Sequence, residues 1–329
     1  MTTETILLVG HGSREKSGND EILAFAAQWR ERQPNWSIEV CFIEFSEITM
    51  GEGLRRAATH ARRVIVVPLI LNAAGHVKMD IPQAIDAARL KFPQVQFLYT
   101  PQLTACDQLL SVVKRRLKSA MQTLDMPDPS TTGVVLLGRG SSDRHANGEM
   151  AKMARWVMEE TDHELVDVAF TGITHPRLEK AVQRQSLLGM TQVVVLPYYL
   201  FNGTLVARIQ RQVEHLKAQY PTIRFTSTDY FGFECEIFEV LEQRVLDVKR
   251  GAPEALMPCD GCKFRAFAVE HGQGGHHHDD DLPHSHDHAH DHDHEHAHEH
   301  PHNQAHPHDH GHGHAHPHDH DHSPTGVLP

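Results

Sequence analysis

The chain has 329 residues, 40% of them apolar, and a formal charge of −12 from 43 acidic and 31 basic residues, a size that accommodates two domains with a core each. From Glu270 onward there is no Lys or Arg and there are about twelve acidic residues, so the part before this tail is close to neutral. There is no basic stripe that would read nucleic acid, no apolar run near the ~20 residues that span a membrane and no secretory leader pattern, which together read as a cytoplasmic chain.

The first apolar run, Thr5 to Val9, predicts a buried strand ending in Gly10-His11-Gly12. Further strands are expected at Val40 to Ile43, Val64 to Leu69 and Val95 to Tyr99. Helical spacing separates them at Glu21 to Arg32, Gly51 to Ala61 and Ile81 to Lys91, and Cys106 to Leu124 follows the last. Strands alternating with helices predict right-handed βαβ units and a parallel sheet covered on both faces. A turn-rich linker, 126–132, comes next.

The pattern then starts again. Val134-Val135-Leu136-Leu137-Gly138-Arg139-Gly140-Ser141 repeats the opening string 128 residues on, and Val166 to Phe170 keeps that offset from the second strand. Val193 to Pro197 answers Val64 to Pro68, and Cys235 answers Cys106, at 129. Four matches in order indicate a duplication. The copies differ in their titratable groups: His11 corresponds to Arg139, Glu44 to Gly172 and, with one deletion, His76 to Thr204. One half is therefore expected to be active and the other to keep the fold and close a cleft.

His11, Glu44 and His76 each follow a strand, so a parallel sheet delivers all three to one edge. Two imidazoles and a carboxylate there suit a divalent first-row metal such as cobalt, nickel or iron. A nucleotide is not expected, because Glu15 replaces the third glycine of a dinucleotide fingerprint and there is no Gly-Lys-Ser/Thr.

Leu8-Val9-Gly10-His11-Gly12-Ser13-Arg14, Ile43-Glu44-Phe45-Ser46-Glu47 and Val67-Pro68-Leu69 through Gly75-His76 to Asp80-Ile81-Pro82 resemble the signature of the class II tetrapyrrole chelatases. The likeness is strongest to the branch that inserts cobalt into sirohydrochlorin. Ile48 is a departure, since the family usually carries proline there. The resemblance implies an α/β fold of two tandem flavodoxin-like domains facing across a cleft that holds the macrocycle. It implies His11 as proton acceptor and metal ligand, His76 as the second ligand, and Glu47, Leu71, Asn72, Ala73, Ala74 and Gly75 as tetrapyrrole contacts. The implied activity is ATP-independent insertion of Co2+ into sirohydrochlorin on the route to cobalamin. Iron or nickel insertion is the nearest alternative, and a metal-storage protein or metallochaperone is the alternative of another class.

The chemistry agrees with these residue types. Metal entry expels two pyrrole protons, so a base must sit over the ring, and neutral imidazoles can accept a proton or hold the metal. Glu44 would orient a histidine or take the proton onward. The many carboxylates of sirohydrochlorin call for cations, for which Arg139 and Arg208 are the candidates. Tyr198 and Tyr199 either pack on the ring or fill the second core. His60, His145, His163, His175 and His215 are expected on solvated faces, His175 lining the cleft because it aligns with Glu47.

The domain boundaries read as 1–125 for the catalytic half, 126–132 for the linker, 133–250 for the degenerate half, 251–269 for a Cys-x-x-Cys segment and 270–329 for a disordered tail. The long chelatases that the chain resembles carry an iron-sulfur cluster at a motif like Cys259-Asp260-Gly261-Cys262. Two thiolates do not fill a cluster, so Cys106 and Cys235, or the second subunit of a homodimer, would have to complete it. From His271 to His322 histidine alternates with Asp, Ala and Glu, a composition that forms no core and binds divalent metals at many weak sites.

Overall fold

The computed structural model describes residues 4–252 together with 256–258, 262, 265 and 270. Cys259 and the histidine-rich stretch 271–329 lie outside the described residues.

The first half runs β1 (Glu4–Gly10), α1 (Lys16–Arg32), β2 (Ile38–Phe42), α2 (Met50–His60), β3 (Arg63–Pro68), α3 (Ile81–Lys91), β4 (Gln96–Tyr99) and α4 (Asp107–Met121). A π-helical turn, His76–Asp80, leads into α3. The second half repeats the order as β5 (Thr132–Gly138), α5 (Arg144–Glu159), β6 (Val166–Phe170), α6 (Leu178–Leu187), β7 (Gln192–Pro197), α7 (Thr204–Gln219), β8 (Arg224–Ser227) and α8 (Cys235–Arg250). The strands form two four-stranded sheets of order β2-β1-β3-β4 and β6-β5-β7-β8, every pair of neighbours being parallel.

The central strands are apolar on both faces because both faces are covered. In β1, Ile6 and Leu8 enter one hydrophobic cluster and Leu7 and Val9 another. In β5, Val134 and Leu136 join the first of these clusters, which is therefore shared by the two halves. The other face of β5, through Val135 and Leu137, packs under α6 and α7.

The shared cluster arises because the halves exchange their last helices. α4 packs on β7 and β8 of the second sheet, α8 packs on β3 of the first, and the two helices pack on each other. Phe25 of α1 and Phe238 of α8 stack at 4.0 Å between ring centroids, with both rings fully buried. Burial of a side chain of that size is worth roughly 1.5–3 kcal/mol. Arg115 and Arg116 of α4 pair with Glu234 just ahead of α8, and Arg115 also reaches Glu236.

The loops that leave the strands are built alike in the two halves. Gly12 and Gly140 have φ of +90° and +85°, and a Cβ there would stand 1.7 Å from the Glu44 carbonyl oxygen or 2.3 Å from that of Gly172. Only glycine allows those close approaches. Asn19 bonds the backbone N–H and carbonyl of Ser13, and Asn147 does the same for Ser141.

Candidate metal centre

β1 ends at Gly10, and its ladder with the second strand continues one step beyond both elements. Ile43 N–H donates to the Gly10 carbonyl at 3.0 Å and Glu44 N–H to that of His11 at 3.1 Å. His11 and Glu44 are thereby held side by side at the carboxyl edge of the first sheet. The segment after β3, Leu69 to Gly75, is tied down by Leu69 N–H on the Val9 carbonyl and by Leu103 and Thr104 N–H on those of Ile70 and Leu71. It carries His76, first residue of the π-helical turn, to the same edge.

Ligand atoms of His11, Glu44 and His76 all lie within 4.8 Å of one another, and they form the one such group of three among the described residues. The two imidazoles meet edge to face at 4.7 Å and 83°. Two ligands on opposite sides of a first-row ion at its usual bond lengths stand about 4.2 Å apart.

Each imidazole has a defined partner. His11 Nδ1 lies 3.1 Å from the Gly12 carbonyl and 3.4 Å from Glu44 Oε1, so this nitrogen carries the proton. Its Nε2 accepts from Arg139 Nη1 at 3.3 Å. Burial, followed by the neighbouring His76, holds His11 below the ordinary histidine value, while Gly12 and Glu44 oppose the shift. His76 is raised, chiefly by its bond to Asp80, whose Oδ2 lies 2.5 Å from His76 Nδ1. His11 is thus the less basic of the two imidazoles, and the bond to Asp80 at Nδ1 leaves His76 with Nε2 free.

Asp80 is the residue of this centre to which the sequence reading assigned no role. Its signal is the four-residue spacing from His76, which puts the two on one face of a helical turn.

The other expected residues spread around the trio. Glu47 is exposed, Leu71 to Ala74 are half-buried and Gly75 is exposed. Leu71 and Ala73 pack against the core, and the buried Asn72 Oδ1 has no partner. Arg139, the counterpart of His11, reaches it from the second half. Lys78 of the first half also pairs with Asp143 of the second. Arg208 and His175 are exposed. Tyr198 is buried in the shared cluster, whereas Tyr199 is half-buried with its hydroxyl 2.8 Å from Thr171 Oγ1. Burial raises the Tyr199 phenol to about 12.

One expectation is corrected. His163 is 5% exposed rather than solvated, because its ring turns inward with Nδ1 3.4 Å from the Pro129 carbonyl, and burial lowers its pKa. His60, His145 and His215 are exposed as expected.

Cys262 is a half-buried free thiol, and Cys259 lies outside the described residues. Cys106, Cys235 and Cys262 join no group of three ligating side chains among the described residues. A cavity of about 330 Å³ beside Tyr99, Asp86 and Met257 lies on the β4 side of the first sheet and includes none of the trio.

Two parallel α/β sheets, with an imidazole and carboxylate trio at the carboxyl edge of one, define a metal-handling α/β protein. The chain belongs to the CbiX family, which matches it twice, over residues 5–120 and 133–248. It is similar to the sirohydrochlorin cobaltochelatase of Priestia megaterium, 38% identical over 82% of this chain and 87% of that one. It is less similar to the sirohydrochlorin ferrochelatase of the same organism, 28% identical over 74% of this chain and 89% of that one. Among solved structures, SirB from Bacillus subtilis with Fe3+ superposes with a TM-score of 0.66 at 28% identity, covering 76% of this chain and 98% of that one.

Proposed function

We propose that this chain is a sirohydrochlorin cobaltochelatase, inserting Co2+ into metal-free sirohydrochlorin without ATP. The observation that carries the reading is the trio: a neutral histidine, a carboxylate at its far nitrogen and a second histidine oriented by Asp80. Cobalt is favoured over iron by the greater likeness to the cobaltochelatase than to the ferrochelatase of one organism. Both inserted metals bind imidazole readily, so ligand type alone does not choose between them.

In the reaction one Co2+ enters the ring and two pyrrole protons leave. His76 Nε2 presents the metal, and Asp80 keeps the ring in the tautomer that leaves that nitrogen free. His11 Nε2 accepts one pyrrole proton once Arg139 has turned away toward the substrate's carboxylates, and, returned to its neutral form when Glu44 relays a proton to solvent from the Nδ1 side, accepts the second. The resulting imidazolium is stabilised by Glu44 beside Nδ1, which passes the proton outward. Glu47 and Leu71 to Gly75 flank the macrocycle, and Arg139 and Arg208 bind its carboxylates. Residues 1–125 supply the reacting groups and 133–250 the opposing wall. The histidine-rich tail acts as a metal reservoir, so its deletion lowers activity when cobalt is scarce and not when it is saturating. The free cysteines fit a reducing, cytoplasmic compartment.

The test is an anaerobic absorbance assay with metal-free sirohydrochlorin and cobalt, iron or nickel added in turn. The expected result is a spectral shift fastest with cobalt. A shift fastest with iron moves the assignment to a ferrochelatase, and no shift with any metal leaves a storage protein.

A further inference from the structure

Two carboxylates of the second half reach across to the segment of the first half that carries His76. Asp143, the N-cap of α5, caps the helix with Oδ1 on the His145 N–H and takes Lys78 on Oδ2. Lys78 stands two residues beyond His76 in the π-helical turn. Glu149, further along α5, accepts on Oε2 from Thr104 Oγ1 at 2.5 Å and from the Ala105 N–H at 2.9 Å. The Thr104 N–H in turn donates to the Leu71 carbonyl at 2.7 Å, at the head of the stretch that leads to His76. The helix α5 therefore holds this segment on both sides of the imidazole.

The two halves are alike in one of these holds and differ in the other. Glu21 of α1 lies 128 residues before Glu149 and grips the second half in the same way, taking the Asn202 N–H at 2.8 Å and the Tyr230 hydroxyl at 2.6 Å. The ion pair is not repeated, because Lys78 corresponds to the buried Val206 and Asp143 to the exposed Glu15. Thr104 marks the active side as well. Its φ of +58° is strained for a β-branched residue, whereas its counterpart Gly232 makes the same turn at +60° and the same backbone bond, to the Leu200 carbonyl. What threonine adds there is the hydroxyl bond to Glu149.

We infer that α5 positions His76: Glu149 and Asp143, from the half without metal ligands, fix the two ends of the segment on which the second imidazole rides. The second half thereby does more than close the cleft. A metal ligand on a loop is only as well placed as the rigid element that supports the loop, and here that element is a helix of the other half. Glu149, Asp143 and Lys78 are positioning residues, and the inference rests on the reading of His76 as the residue that presents the metal.

The experiment compares wild type with Glu149→Ala, Glu149→Gln, Lys78→Met and Glu21→Ala, all in the full chain. The insertion rate at saturating sirohydrochlorin is measured against free cobalt set by a chelator buffer, and a melting curve is recorded for each variant. Glu149→Ala and Lys78→Met are expected to raise the half-saturating free cobalt about tenfold, while the rate at saturating cobalt stays within about twofold of wild type. Glu149→Gln should restore the wild-type cobalt dependence, because one amide oxygen can accept both bonds that Oε2 accepts. Glu21→Ala should melt earlier, as Glu149→Ala does, yet keep the wild-type cobalt dependence, since it loosens the half without metal ligands. An unchanged cobalt dependence in Lys78→Met or in folded Glu149→Ala overturns the inference, and so does an equal shift in Glu21→Ala. If Glu149→Ala does not fold, Lys78→Met decides. The visible absorption of bound Co2+, taken as wild type minus His76→Ala so that the sites of the histidine-rich tail cancel, reads the same hold without turnover. If wild type shows this band and inserts no metal, the chelatase reading fails, while weaker cobalt binding by Lys78→Met still upholds the inference. Neither band nor insertion in wild type overturns both.

Discussion

Arg139 and His11 occupy the same position in the two copies of a duplicated unit, and they meet, with Nη1 donating to Nε2 at 3.3 Å. One copy of the position holds an imidazole and the other a guanidinium that donates to it. The positive charge disfavours a second proton on His11 and adds to the larger effect of burial. In Arg139→Gln the protonation midpoint of His11 is therefore expected to rise toward the ordinary value. The acid limb of the insertion rate should move to higher pH with it. NMR titration of the imidazole checks the first and a pH–rate profile the second.

Asp80 raises the pKa of His76 by the bond to Nδ1, and that bond leaves Nε2 as the free nitrogen. Asp80→Asn should lower the His76 midpoint and weaken the centre for cobalt by about 10–100-fold. The rate measured against free cobalt should show the loss at low metal and recovery at high metal. An unchanged cobalt dependence would remove Asp80 from the mechanism.

Gly12 combines φ of +90° with a site where a Cβ would lie 1.7 Å from the Glu44 carbonyl oxygen. Gly12→Ala must therefore push the Glu44 loop away from His11, at a cost of order 1–3 kcal/mol for the strained residue alone. Gly140→Ala suffers the same clash against Gly172, where no reacting side chain is carried. Both variants should melt earlier, and Gly12→Ala should lose much more of its insertion rate than Gly140→Ala.

His163 is buried with a lowered pKa. Above its unfolded value of about 6.5 both states are neutral and it contributes no pH dependence. Below that value the unfolded chain binds the proton first, so stability is lost as the pH falls. His163→Phe should flatten the decline in melting temperature between about pH 6.5 and 5. An identical decline in the variant would assign it to other groups.

The strands were legible in the sequence because a parallel strand covered on both faces reads as an unbroken apolar run. Val166 to Phe170 appears as expected, the other expected strands differ by one or two residues at their ends, and β8 had no expected counterpart. α3 also keeps its expected bounds, whereas α1 begins at Lys16 rather than Glu21, since Gly18 interrupts the apolar spacing in its first turns. The exchange of α4 and α8 between the sheets was not legible. Periodicity tells that a helix face is buried and not which sheet buries it. The trio could be anticipated from strand ends in a duplicated fold, because a parallel sheet brings equivalent ends to one edge. Asp80 was marked only by its four-residue spacing from His76, and its role appears once the π-helical turn brings its carboxylate to Nδ1.

The most direct measurement is the rate of cobalt insertion into metal-free sirohydrochlorin by wild type and His11→Ala under anaerobic conditions at saturating metal, with Glu44→Gln alongside. The account expects insertion by the wild type, none above the uncatalysed rate in His11→Ala and a slowed rate in Glu44→Gln. Insertion at the wild-type rate by His11→Ala would contradict it, because His11 is the imidazole that joins Glu44 and His76 in the one group of three ligating side chains among the described residues.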